Sequence, residues 1–471
     1  MQQILTAVFF TVYTLSVAGV MLVIIGDNRN PLKTLPWIAV LLLAPGVGLI
    51  LYFFFGQNLS KRRFISRRMR KRITMQLAGS DAVDRRAVPD RFRPVAALLE
   101  ETAHAVPLRG SRIEPYTDGG RKMEALLGAI AGARHHIHLQ YYILCDDGTG
   151  CRLRDALVAK AREGVEVRVL YDDVGCRGVR KSFFGEMRAA GIEVRPFLHV
   201  RFPRFTGKVN YRNHRKIAVV DGRVGFMGGM NVADRYVRGL KWGAWRDTHF
   251  RIEGPGVAAL QAVFLSDWSA TTRQFLSGAA YYPKTERLSD GLLQVAPGGP
   301  FGKWRVLLQA YAGAIARADR RVWVQTPYYL PSEVLDKALQ SAALSGVDVR
   351  LMLPERSDSR MIDLASHSYL ADMLRAGVKI FFYTPGFLHS KLLLVDDELT
   401  VIGSANMDFR SFEHNFEVAG FVYDRAFNAR MAALCDEDLK RCRALLPGEW
   451  FRRPLVRRFA ESFLRIFSPL L

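Results

Sequence analysis

One short pattern occurs twice in this chain, and any fold it adopts has to accommodate both copies. The first is His214-Arg-Lys216, four residues, then Asp221; the second is His389-Ser-Lys391, four residues, then Asp396. Gly228-Gly229-Met-Asn231 follows the first and Gly403-Ser404-Ala-Asn406 the second, so histidine and asparagine stand 17 residues apart in both. The copies themselves are separated by 175 residues. A repeat on this scale predicts two similar structural halves, each contributing one copy.

The repeat extends beyond the signatures. Arg134–Leu144 matches Arg320–Leu330, Gly164–Leu170 matches Gly346–Met352, and Gly191–Arg195 matches Gly377–Phe381. The last two pairs are short β-branched runs opened by glycine, following helical stretches such as Leu153–Glu163 and Glu333–Leu344. Strand and helix in alternation predict an α/β layer with mostly buried strands in each half. Breakers cluster over 281–310, where Pro297-Gly-Gly-Pro300 stands. The expected organisation is therefore a first α/β domain over 111–280 and a second over 281–450. The halves differ before the signature histidine, where the first carries an extra segment around Leu198–Tyr211 with Arg201, Phe202, Arg204, Phe205 and Lys208. It is either a guide for a charged ligand or decoration of a duplicated fold.

The ends of the chain add a solvent constraint. No charged residue occurs from Met1 to Gly26, and Ile4–Ile25 is long enough to cross a bilayer. After a turn with Asp27, Arg29 and Lys33, Thr34–Ser60 is again uncharged, with Trp37, Tyr52 and Phe53–Phe55 toward its ends. Pro45 and Gly46 within it predict a kink. Lys61-Arg-Arg63, Arg67, Arg68, Arg70, Lys71 and Arg72 come next. This basic run places 61 onward, and Met1, in the cytoplasm. We expect a transmembrane hairpin over 1–60 and a basic juxtamembrane connector over 61–110. A cleaved leader would need a basic n-region, which is missing. The net charge of +22 fits nucleic acid or anionic lipid, and basic residues beside a span favour lipid. The segment 451–471 is basic and amphipathic, with Leu455, Phe459, Phe463, Ile466 and Phe467 along one helical face. It suits either a membrane surface or the side of the folded core. Cys145, Cys151, Cys176, Cys435 and Cys442 have no convincing metal spacing and read as free thiols.

The signatures themselves point to phosphodiester chemistry. Alternation along a strand puts His214 and Lys216, and likewise His389 and Lys391, on one side. Lysine ammonium groups and the Asn231 and Asn406 amides suit the nonbridging oxygens of a phosphodiester as charge builds in the transition state. Gly228, Gly229 and Gly403 allow close backbone approach. Asp221 and Asp396 belong to the candidate catalytic set, orienting the site or supporting its turn. Two imidazoles divide the work: one attacks phosphorus, and the other protonates the leaving alcohol and then deprotonates the incoming one. A lone histidine would more often be structural, but two in matching frames argue against that. No divalent metal or other cofactor is required.

These motifs resemble those of bacterial cardiolipin synthases of the phospholipase D superfamily, the type with an N-terminal two-helix membrane hairpin. Supporting stretches are His138–Ile143, Gly254–Ala258, Phe264–Trp268, Thr326–Tyr329, Gly403–Arg410 and Asn415–Glu417. The resemblance implies two phospholipase D-like α/β domains in pseudo-twofold arrangement, with the active site at their seam. It implies an acid supporting each histidine, Asp247 for His214 and Glu417 for His389, with Gly229 and Ser404 among the phosphate-binding or supporting positions. Gln140 stands where related chains often have glutamate. The reaction implied consumes two phosphatidylglycerols and yields cardiolipin and glycerol. By this analogy His214 attacks and His389 handles the protons, although pseudo-symmetry permits the reverse. The expected partners are phosphatidylglycerol and anionic membrane lipids, with no nucleic acid. Hydrolysis by water, transfer to another alcohol, nuclease activity and a noncatalytic scaffold are the competing readings.

Overall fold

The computed structural model describes residues 1–26, 31–52, 56, 64–66, 72–74, 77, 80–199, 210–276 and 278–469. The expectations for Asp27, Arg29, Phe53–Phe55, Lys61–Arg63, Arg67–Lys71 and Arg201–Lys208 lie outside the described residues, as does the side chain of Lys33. The chain divides into two compact units: Met1–Arg63 with Val200–Tyr211, and Phe64–His199 with Arg212–Leu471.

In the smaller unit, a 25-residue helix spans Gln2–Gly26. It is the one helix among the described residues long and apolar enough to cross a membrane. Ile4, Phe9, Leu15 and Leu22 along it are exposed, as side chains facing lipid would be. The second apolar stretch is not continuous. It forms the helices Pro31–Leu43 and Pro45–Leu51, broken at Ala44, whose φ of −140° is not helical. A proline has no backbone N–H and begins a helix better than it continues one, and Pro45 stands at the start of the second helix. The helices pack through Val20, Ile24, Leu41, Leu49 and Tyr52.

The larger unit holds two sheets of matching design. In the first, the strand order is Arg112–Tyr116, His249–Glu253, Val224–Gly228, Ile217–Val220, His136–Tyr141, Glu166–Asp172, Glu193–Phe197. The second sheet repeats it as Leu292–Gly298, Glu417–Tyr423, Leu399–Gly403, Leu392–Val395, Arg321–Gln325, Asp348–Pro354, Lys379–Tyr383. Leu108–Arg109 and Cys442–Ala444 are added at its two edges. In each sheet the last three strands of the shared order run parallel and the others pair antiparallel. The glycine-opened runs supply the last two parallel strands.

Period-two alternation decides what each strand touches. Ile217 and Val219 join Leu392, Leu394, Ile402, Val418 and Leu293 in a core shared by both sheets. Ala218 and Val220 point the other way, under the helices that carry Met123, Leu126, Leu153 and Phe183. Leu393 and Val395 do the same in the second half, against Leu307, Leu335 and Leu370. The seam is thus an apolar core, and the two signature strands lie on it. The stretch expected as a connector enters these cores as well: Val106 and Leu108 join the shared one, Val95 and Leu99 the second outer one.

Candidate active site

Each signature histidine sits just before a strand of its own half, on backbone that pairs with the other half. Asn213 forms a parallel bridge to Phe416, and the His214 amide donates to the Phe416 carbonyl at 2.9 Å. Gly386–Leu388 pairs in parallel with Ala244–Arg246, and the His389 amide donates to the Arg246 carbonyl at 2.6 Å. Phe416 immediately precedes Glu417, and Arg246 immediately precedes Asp247. The acids are consequently exchanged relative to the expected assignment. His214 Nδ1 lies 3.0 and 3.1 Å from the Glu417 oxygens and 3.1 Å from the Ser404 carbonyl. His389 Nδ1 lies 2.6 Å from Asp247 Oδ2. Sequence proximity put each acid with the histidine of its own half; the backbone pairing across the seam delivers it to the other.

Among the described residues only acceptors surround His214 Nδ1, so this nitrogen carries the proton and Nε2 keeps its lone pair. At His389, against the opposing Lys391 donor at 2.8 Å, the Asp247 carboxylate at 2.6 Å favours the same tautomer. Gly229 makes this possible: a Cβ there would stand 2.1 Å from Asp247 Oδ1, so any side chain would displace the carboxylate. At the corresponding place in the second half, Ser404 donates its hydroxyl to Glu417.

The two halves meet in a cavity of about 260 Å³ lined by His214, His389, Asn231 and Asn406. Tyr142, Arg212, Arg235, Tyr236, Trp245, Tyr328, Asp358, Asp408, Arg410 and Asn415 also face it. Asn231 Nδ2 donates to the Tyr236 hydroxyl at 2.6 Å, and its Oδ1 accepts from the Ile143 amide at 3.1 Å. Asn406 Nδ2 donates to Asp408 at 2.9 Å. Lys216 and Lys391 are buried behind this lining. Each ammonium donates to the carbonyl of its own histidine, and Lys391 Nζ also lies 2.8 Å from His389 Nδ1.

Burial dominates the electrostatics. It pushes His214 below the usual imidazole value against the opposing pull of Glu417, and carries Lys216 well below the usual lysine value. Lys391 falls to about 8, again through burial, with Asp247 and Glu417 opposing. Burial and the neighbouring Lys391 depress His389 to about 3. Burial would raise Asp247, but Lys391 and His389 hold it down at about 2. The resting site therefore contains a carboxylate behind a neutral imidazole whose Nε2 is open to the cavity. An incoming phosphodiester adds the negative charge that favours protonated lysines and imidazole.

Asp221 and Asp396 do not belong with these groups. Each stands just past the far end of its strand, about 16 Å of extended chain from the lysine. Asp221 accepts the amides of Arg134, His135 and His136, and Asp396 those of Asp319, Arg320 and Arg321. Both have positive φ, 52° and 49°. They fasten a tight turn to the neighbouring strand and do not line the cavity. Gln140 bonds Asp267, which pairs with Arg215, so it too serves a buried network away from the cavity.

The cavity also contains residues that motif reasoning missed. Arg235 and Arg410 each follow a signature asparagine by four positions, so the repeat itself carried the signal. Tyr142 and Tyr328 stood inside the stretches His138–Ile143 and Thr326–Tyr329 without being singled out as site residues.

Two sheets of one design, facing across a seam with a histidine from each in one cavity, define a phospholipase D-like protein. The family described as "Cardiolipin synthase, PLD-like domain" matches residues 126–268 and 311–439, and one described as "Phospholipase_D-nuclease N-terminal" matches 14–57. Cardiolipin synthase 2 of Bacillus cereus is 39% identical, with 98% of this chain and 91% of that protein covered. A cardiolipin synthase of Geobacillus kaustophilus is 40% identical over 99% and 94%. The major cardiolipin synthase of Bacillus subtilis is 38% identical over 100% and 99%. The chain belongs to the phospholipase D-like cardiolipin synthase family. Phosphatidylserine synthase from Haemophilus influenzae shares the fold, with a TM-score of 0.60 at 14% identity, covering 81% of this chain and 100% of that one.

Proposed function

We propose that this chain is a cardiolipin synthase that moves a phosphatidyl group from one phosphatidylglycerol to another. The observation that carries the reading is the pair of histidines in one cavity, each backed by a buried carboxylate. His214 Nε2 attacks the donor phosphorus and the P–O bond to glycerol breaks. His389, protonated and steadied by Asp247, gives its proton to the departing glycerol oxygen. The product is a phosphatidyl-histidine on His214, whose Nδ1–H remains held by Glu417. His389 then removes the proton from a primary hydroxyl of the second lipid. That oxygen attacks phosphorus, the P–N bond breaks, and cardiolipin forms. Lys216, Lys391, Asn231 and Asn406 offset the charge that builds on the nonbridging oxygens.

The test is purified full-length protein in mixed micelles with headgroup-labelled phosphatidylglycerol. Cardiolipin and glycerol in equal amounts, with little phosphatidic acid, is the expected result. Phosphatidic acid as the main product would mean hydrolysis. With acyl-labelled phosphatidylglycerol, prolonged incubation of His389→Ala protein should slowly leave label on the chain, whereas His214→Ala should not; the opposite pattern reverses the two roles.

The location follows the same reading. We infer two membrane crossings within 1–60, the second bent at Pro45, and catalysis on the cytoplasmic side. The charge-free helix Gln2–Gly26 and the basic run from Lys61 to Arg72 support this. Protease access to 61 onward in right-side-out vesicles would contradict it.

A further inference from the structure

The C-terminal helix, Leu455–Arg465, turns its polar side toward the protein. Glu461 is buried, with Arg453 Nη1 at 2.6 Å and Arg457 Nε at 3.3 Å. It also lies 3.8 Å from His367 on the helix Arg360–Arg375, and Arg465 sits over the Tyr369 ring of that helix at 4.0 Å. The apolar side is what remains outside. Leu455, Val456, Phe459, Phe463 and Ile466 are between 51 and 82% exposed. At about 100° per residue these five positions fall within a single arc of about 100°. A contiguous face of this kind on a folded unit marks an interaction surface.

Charge indicates what covers it. Arg452, Arg457 and Arg458 are exposed around this face. Glu461 is the one acidic residue from 451 to 471, and it is spent inside the protein. A second copy docking face to face would bring arginine rims together. An anionic bilayer takes both the apolar arc and its basic rim. The supporting helix Arg360–Arg375 leads back to the site: Ile362 in its first turn lines the cavity, and Tyr369 is seven residues, about 10 Å, further along.

We propose that the Leu455–Ile466 face is a second membrane contact, lying in the plane of an anionic bilayer and docking the catalytic unit beside the lipid it consumes. What the contact delivers rests on the phosphatidyltransferase reading; the contact itself does not. For the test, full-length protein carries an environment-sensitive fluorescent residue at position 459 or, as control, at exposed position 163. It is reconstituted at less than one protein per vesicle into phosphatidylcholine–phosphatidylglycerol vesicles with brominated acyl chains. Quenching several-fold stronger at 459 than at 163 is expected. Equal quenching, or quenching at 459 that appears only when proteins are crowded, overturns the proposal. In parallel, Phe459→Glu/Phe463→Glu should lower synthesis from vesicle phosphatidylglycerol at least fivefold, while turnover of a monomeric short-chain phosphatidylglycerol stays within twofold. Equal loss on both substrates, or none on either, overturns the docking role. A wild-type protein that makes no cardiolipin from either substrate refutes the phosphatidyltransferase reading, while the quenching still decides the contact.

Discussion

Two residues before His214 the chain carries Arg212; two residues before His389 it carries Phe387. The surroundings diverge from there. The His389 ring has Trp245 at 5.0 Å, Phe387 at 5.3 Å, Tyr236 at 6.1 Å and Tyr328 at 6.5 Å. Among the described residues one aromatic ring, Tyr142 at 5.0 Å, packs edge-on against His214, and Arg212 and Arg410 face the same cavity. The lysines differ too: Lys391 Nζ reaches its own imidazole, whereas Lys216 lies over the Tyr142 ring at 5.5 Å. The duplicated frame fixes what both halves share, an imidazole held by a carboxylate from across the seam. The walls differ and make the two imidazoles inequivalent, which suits the different roles proposed for them.

The comparison breaks first at the imidazoles. His214→Ala and His389→Ala should each cut cardiolipin formation by about a thousandfold or more, without releasing the protein from the membrane fraction. Substantial synthesis by either would end the paired mechanism. Asp247→Asn and Glu417→Gln should each cost about a hundredfold, since a neutral amide no longer holds the imidazole in its working tautomer. Their imidazole nitrogen resonances sharpen the crossing: Asp247→Asn should move His389 and leave His214, and Glu417→Gln the reverse.

A smaller effect separates the lysines. With Lys391 depressed to about 8, its ammonium is present below that pH and lost above it. kcat/KM should therefore fall as pH rises through about 8, and Lys391→Met should be weaker throughout and lack that limb. On the acid side the sign reverses. Burial leaves His389 at about 3, and His136 and His367 at about 4, all below the unfolded value near 6.5. The unfolded chain takes up these protons first, so Tm should drop as pH falls from about 6.5 toward 4, and less steeply in His367→Gln. Last comes the turn: Asp396→Asn should cost about 2 kcal/mol in stability by weakening three backbone acceptor contacts. Its kcat per folded molecule should change less than threefold, and a larger loss would return Asp396 to the catalytic group.

Much of the architecture was legible because a duplication repeats its local patterns. The glycine-opened runs at Gly164, Gly191, Gly346 and Gly377 were each strands, and the signature lysines lead into the central hairpin strands of both sheets. The break in the second apolar stretch was legible too: the kink expected at Pro45 and Gly46 falls at Ala44, just before the proline that lacks an N–H. The C-terminal segment was legible as amphipathic but not as to its facing. Apolar periodicity ordinarily turns inward, and here Glu461 turns inward because Arg453 and Arg457 neutralise it.

The sequence by itself determined the two halves, the histidine, lysine and asparagine sets and the phosphodiester chemistry they suit. These follow from residue type and spacing along one strand, which local geometry preserves. Only the tertiary structure decided which carboxylate serves which histidine, that Asp221 and Asp396 hold turns, and which side chains wall the cavity. Those outcomes depend on the parallel pairing of Gly386–Leu388 with Ala244–Arg246 and the bridge from Asn213 to Phe416. Such contacts join segments more than a hundred residues apart and are set by how two sheets share one core, and nothing in the spacing of either half records them.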